Sequence, residues 1–95
     1  MTKWKHKINI KQHLSDDTSW EGMTVSANNI AKELRRLPDE MFECYGFEDD
    51  IMFLEGVNET DHEVYECEED LLDKINYRLG SIYDFADINK IWLGL

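Results

Sequence analysis

Between residues 38 and 73 the chain carries 15 of its 21 acidic residues and not one lysine or arginine. Acidic runs of this kind are often disordered tails. This one is interleaved with Met41, Phe42, Tyr45, Phe47, Ile51, Met52, Phe53, Leu54, Val57, Val64, Tyr65, Leu71 and Leu72. Apolar residues at that density predict a folded region with an acidic outer face. The opposite charge is also segregated, because residues 1–14 hold Lys3, Lys5, Lys7 and Lys11 and no acid.

The whole chain, 95 residues long, fits one domain spanning 1–95. Its apolar share of 42% and aromatic share of 12% are too high for a disordered chain in spite of the charge. The net charge of −11 sets it against phosphate backbones and anionic lipid surfaces. Direct nucleic-acid or membrane binding is therefore disfavoured, and a basic protein partner is favoured. The opening residues lack the apolar segment of a secretory signal, and no apolar run approaches the length of a membrane span. Cys44 and Cys67 are accordingly expected to stay as thiols in a reducing cytoplasm. The sequon Asn58-Glu59-Thr60 has no meaning without secretion.

The local pattern predicts a helix-dominated α+β domain. Trp4, His6, Ile8 and Ile10 alternate with Lys5, Lys7 and Asn9, the period of a half-buried strand. Residues 15–19 are a polar break. Ala27, Ile30, Ala31, Leu34 and Leu37 predict a helix over 24–37, capped by Thr24 or Ser26, with Pro38 either stopping it or opening the next helix. Met41, Phe42 and Tyr45 suggest a short helix ending at Gly46. The run Ile51 to Leu54 fits either a helix or a buried strand, and residues 56–61 read as a loop. Leu71, Leu72, Ile75, Leu79, Ile82, Tyr83 and Ala86 form a continuous stripe that predicts a long helix over 67–87, ended by Asn89. Ile91, Leu93 and Leu95 alternate with Trp92 and Gly94 as a closing strand, expected to pair with the first. The expected core gathers Trp4, Ile8, Ile10, Ile30, Leu34, Leu37, Leu71, Leu72, Ile75, Leu79, Ile82 and Trp92.

The chemistry-bearing residues form no recognisable site. His6, His13, His62, Cys44 and Cys67 lack the paired spacing of a structural zinc site. The stretch 48–61 lacks the alternating oxygens, central glycine and terminal Glu of a calcium loop. No metal and no cofactor is expected. Glu66, Asp70 and Asp73 share a helical face and have the chemistry of acid–base pairs, but a solvated helix face has the same pattern. A pairing of Cys44 or Cys67 with His62 would make a thiol–imidazole couple, whereas an isolated cysteine is usually a small packing residue. There is no phosphate-cradling loop and no nucleophile elbow, so nothing recommends an enzyme. The lysine strand with Trp4 and His6 has the makings of a nucleic-acid contact, but reads better as a solvated strand face.

The segments WKHKINIK at 4–11 and YDFADINKIW at 83–92 resemble a group of short acidic proteins of bacteria, prophages and plasmids. The resemblance covers about a quarter of the chain at its two ends. It implies a bacterial or mobile-element origin and fits pairing of the terminal strands. It carries over no activity and no catalytic residue.

The function expected from the sequence is an acidic interaction or inhibitor domain that mimics nucleic-acid charge and binds a basic protein partner. Its binding face would comprise Glu48, Asp49, Asp50, Glu66, Glu69, Asp70 and Asp73, all exposed on one continuous surface. The alternative is a toxin-neutralising immunity protein or antitoxin, which adds an aromatic hot spot such as Trp20 or Tyr65 beside the acids. A metal-dependent or thiol enzyme is the third class.

Overall fold

The computed structural model describes residues 4–95. It is a helix-dominated domain with two short strands at its ends. The strand β1 (His6–Lys7) leads through a 3₁₀ turn (Lys11–His13) to helix α1 (Trp20–Leu34). A second 3₁₀ turn (Asp39–Glu43) precedes α2 (Tyr45–Gly56), and a third (Glu59–Glu63) precedes the long α3 (Glu68–Ile88). The chain closes with β2 (Ile91–Trp92). The sheet is so small that α+β is a weak description of the class.

The terminal strands pair in parallel, His6 opposite Ile91 and Lys7 opposite Trp92. Backbone bonds extend the contact past the formal strands, from Lys5 N–H on the Lys90 carbonyl to Ile10 N–H on the Leu93 carbonyl. The side chains alternate as the sequence predicts. Ile10, Ile91 and Leu93 are buried, while Lys5, Lys7 and Asn9 face water. Lys3, the remaining lysine of that segment, lies outside the described residues. Trp92 is therefore a correction to the expected core. It is 38% exposed because it stands on the outward side of β2 between two inward residues. At Gly94 the backbone takes φ 86° beside Asn9, and a Cβ there would lie 2.6 Å from the Asn9 side-chain oxygen. Only glycine passes there without displacing Asn9.

Helix α1 starts four residues before its predicted beginning. Ser19 is the cap, its hydroxyl accepting from the Gly22 N–H at 3.1 Å. Thr24 and Ser26 instead lie within the helix and donate to the carbonyls of Trp20 and His13. The buried stripe runs back through Ala27 to Met23, with half-buried Trp20 continuing it. Asp17 folds over the first turn so closely that a Cβ on Gly22 would lie 2.3 Å from its Cγ. Pro38 leads into the second 3₁₀ turn, consistent with its role as a helix opener.

Helix α2 is the largest departure from expectation. Gly46 does not end a helix but lies in the first turn of one, and the ambiguous run Ile51–Leu54 belongs to the same helix. Phe47, Ile51 and Leu54, spaced four and three apart, are buried. The segment expected as a loop forms the third 3₁₀ turn, capped reciprocally by Asn58 and Asp61. Asn58 of the sequon thus has a structural role at the cap.

The core lies where α2 packs between α1 and α3. Ile30 and Leu34 of α1, Ile51 and Leu54 of α2, and Leu71 and Ile82 of α3 are all under 2% exposed. Phe47 bridges outward, stacked on Phe85 with ring centroids 4.0 Å apart. Leu72, Ile8 and Tyr83 pack at the margin.

Candidate interaction surface

Two arginines divide the acidic residues into two populations. Arg35, immediately after α1, faces α2. Its guanidinium donates to both carboxylate oxygens of Glu48, at 2.6 and 2.9 Å, and to both of Glu55, at 2.9 and 2.8 Å. Glu48 and Glu55 are seven residues apart and so lie on one face of α2. The same guanidinium sits 5.1 Å from the Phe42 ring centroid, a cation–π contact that fixes the planar fork from behind. Hydrogen bonding to these two carboxylates holds Arg35 firmly charged. It also holds the Glu55 carboxyl below its ordinary range.

Arg78, in the middle of α3, grips α2 from the other side. It donates to Asp49 at 2.7 Å and to Asp50 at 2.9 Å, and lies 5.0 Å from the Phe53 ring centroid. Asp50 is buried, 6% exposed, which is tolerable only because the guanidinium reaches it. Helix α2 is thus clamped between α1 and α3 by ion pairs on two faces.

This arrangement corrects the predicted continuous acidic face. Glu48, Asp49 and Asp50 are not a free outer surface, because each is held in an ion pair with Arg35 or Arg78 and Asp50 is inside. The other four predicted residues lie elsewhere. Glu66, Glu69 and Asp73 are exposed, and Asp70 is half-buried, around the start of α3. They are joined by acids that the prediction did not single out, namely exposed Glu59, Glu63 and Glu68 and half-buried Asp61. Residues 59–73 therefore hold eight acids with no lysine or arginine among them. Part of this density serves the helix. Cys67, the residue before α3, gives no side-chain cap, and Glu68, Glu69 and Asp70 in the first turn oppose the positive helix end.

The aromatic residues near this region are partly packed away. Trp20 is half-buried and meets the His62 ring at a centroid distance of 6.0 Å, while the His62 Nδ1 lies 2.8 Å from the Glu59 carbonyl oxygen. Tyr65 is half-buried too. Its phenol is pushed up first by burial and then by the charges of Asp61 and Asp70. The strongly exposed aromatics are different ones, Tyr45 at 83% and Tyr77 at 73%. Composition cannot distinguish them from buried tyrosines. The helical spacing can: Tyr77 falls opposite the Ile75–Leu79–Ile82 stripe of α3.

The charge is unevenly placed along α3. The acids of residues 59–73 gather at the N-terminal end of α3, while Lys5 and Lys7 sit on β1 beside the strand that follows its C-terminal end. A helix of this length spans roughly 30 Å, several times the Debye length at physiological salt of about 8 Å. Each end therefore presents its own field to a partner.

Among the described residues no group of three His, Cys, Asp or Glu side chains is placed to hold a metal ion. No helix is long and apolar enough to cross a membrane. Cys44 and Cys67 are free and exposed, each at the residue preceding a helix. Comparison with family models, with curated proteins and with solved structures gives no match.

Proposed function

We propose that this helix-dominated α+β domain is an acidic interaction protein that binds a basic protein partner, and is not an enzyme. The observation that carries this reading is the asymmetry among its acids. Those of α2 are ion-paired to Arg35 and Arg78, two acids to each, while exposed Glu59, Glu63, Glu66, Glu68, Glu69 and Asp73 have no facing lysine or arginine in their own segment. Self-repulsion among such residues opposes folding, and a basic partner turns that cost into attraction. Electrostatic steering would make the association fast and salt-sensitive.

Such a surface competes with nucleic acid for a basic groove, since duplex DNA carries one charge per about 1.7 Å of axis. In that form the protein is an inhibitor of a nucleic-acid-binding protein in a reducing cytoplasm. The free thiols of Cys44 and Cys67 fit that compartment. A second reading, a toxin-neutralising immunity protein or antitoxin, is favoured by exposed Tyr45 and Tyr77, which have the chemistry of an interface hot spot. The resemblance of the chain ends to bacterial and mobile-element proteins suits either form.

The test is capture from lysate of the source cell on the tagged chain at low and high salt. Retention of one basic protein at low salt, its release at high salt, and its displacement by added DNA or RNA support charge mimicry. Retention that survives nucleic-acid competition supports the neutralising form. Absence of any retained basic protein at low salt rejects both.

A further inference from the structure

The outward side of α3 is neither fully polar nor packed against the rest of the domain. Asp73, Tyr77, Ser81, Asp84 and Ile88 succeed one another at steps of four, four, three and four residues, so they form one stripe along the helix. Tyr77 is 73% exposed and Ile88 76%. Both line a groove of about 370 Å³ between this helix and the start of α2, with Phe47, Phe85 and the ion-paired Asp49, Asp50 and Arg78. The stacked Phe47 and Phe85 rings supply an apolar wall. Tyr45, whose chain neighbours Cys44 and Gly46 line the groove, is more exposed still.

Resting on the acidic-interaction reading, we infer that this groove is the hot spot of the interface and that its occupant is a basic amphipathic helix. Charge complementarity selects the occupant. Arg78, the cation within the groove, is already paired with Asp49 and Asp50. Beside the groove, Asp73, Asp84 and Asp87 are exposed on α3 against exposed Lys74, so the helix surface that flanks it is net acidic. A second copy of the chain carries the same net charge of −11, so self-association is opposed. Tyr77 and Ile88 are separated by roughly 16 Å of helix, about three turns. A partner helix running alongside would match them with anchors spaced i, i+4, i+7 and i+11. Its lysines or arginines would then face Asp73 and Asp84, with the acidic end of the domain steering the approach.

The test is fluorescence anisotropy of two labelled peptides against the full chain at low salt. One is an amphipathic Lys–Leu helix about four turns long, and the other replaces each Leu by Ser at the same charge. The Lys–Leu peptide is expected to bind at least about tenfold tighter, and Tyr77→Ala with Ile88→Ala should remove that advantage without changing the Lys–Ser affinity. Ile88→Ser alone, at a solvent-exposed position, should produce the same selective loss. Equal affinities for the two peptides, or an advantage that survives the substitutions, overturn the groove assignment and leave the acidic reading standing. Failure of both peptides to bind rejects both.

Discussion

Arg78 reaches from α3 to the buried Asp50 of α2 at 2.9 Å, and this bond decides how the acid-rich middle of the chain can be folded at all. Removing the guanidinium leaves a carboxylate inside with its main partner gone. Arg78→Met should cost about 3 kcal/mol of stability, read from urea unfolding. Adding Asp50→Leu should recover most of that loss, because the orphaned charge is then absent. If Arg78→Met alone is neutral, Asp50 has another means of solvation and the clamp is not essential.

Two of the helical glycines, Gly22 and Gly80, should respond to alanine in opposite directions. At Gly80 an added Cβ meets nothing within 4 Å, so Gly80→Ala should stabilise α3 by up to about 1 kcal/mol. At Gly22 the same change collides with the Asp17 side chain and backbone, so it should destabilise despite the better helix propensity. Melting temperatures of the two variants check this. A stabilised Gly22→Ala protein would mean that the Asp17 turn yields freely.

Acid should weaken the Arg35 clamp. The hydrogen bond from Arg35 holds the folded-state Glu55 carboxyl below its ordinary value of 4.5. Its contribution is therefore complete above that value and is lost as pH falls through the lower folded value. The Glu55 side chain is 42% exposed, so solvent screens the pair and the effect is small. Wild type should melt above Glu55→Gln at neutral pH, with the gap closing below about pH 4.5. A gap that stays constant down to strongly acidic pH would remove this linkage.

Core truncations should follow the burial pattern and not residue size. Leu34→Ala and Leu79→Ala should each cost about 2–5 kcal/mol. Trp92→Ala should cost less than either, although it deletes the larger side chain, because Trp92 stands on the outer side of β2. Chemical denaturation measures all three, and a loss at Trp92 exceeding that at Leu34 would contradict the strand assignment.

The legible parts of this fold were those whose signal is local. The stripe of α3 fixes its ends to within a residue, since 67–87 was expected and Glu68–Ile88 is found. The strand alternation at both ends gave the buried side of β1 and β2. The start of α1 was also available, in Ser19 and in the continuation of the stripe to Met23 and Trp20, but the polar break before it drew the boundary too late. Helix α2 was hidden because Glu48-Asp49-Asp50 interrupts the spacing of Phe47, Ile51 and Leu54 with what reads as a solvated block. Which acids are ion-paired was not legible. Arg35 meets Glu48 and Glu55 from 13 and 20 residues away, and Arg78 meets Asp50 from 28. Net charge carries no information about such pairings.

The central claim is that partners meet the acids of residues 59–73 and the groove along the outer stripe of α3, and not the Arg35 clamp of Glu48 and Glu55 on the other side of α2. Titration of the isotope-labelled chain with a lysine-rich amphipathic peptide, followed by backbone amide shifts, tests it most directly. The account predicts changes concentrated at residues 59–73, along Tyr77, Ser81, Asp84 and Ile88 and at the groove wall of α2, with Arg35 and Glu55 little affected. Changes centred on Arg35, Glu48 and Glu55, or spread evenly over the surface, would contradict it.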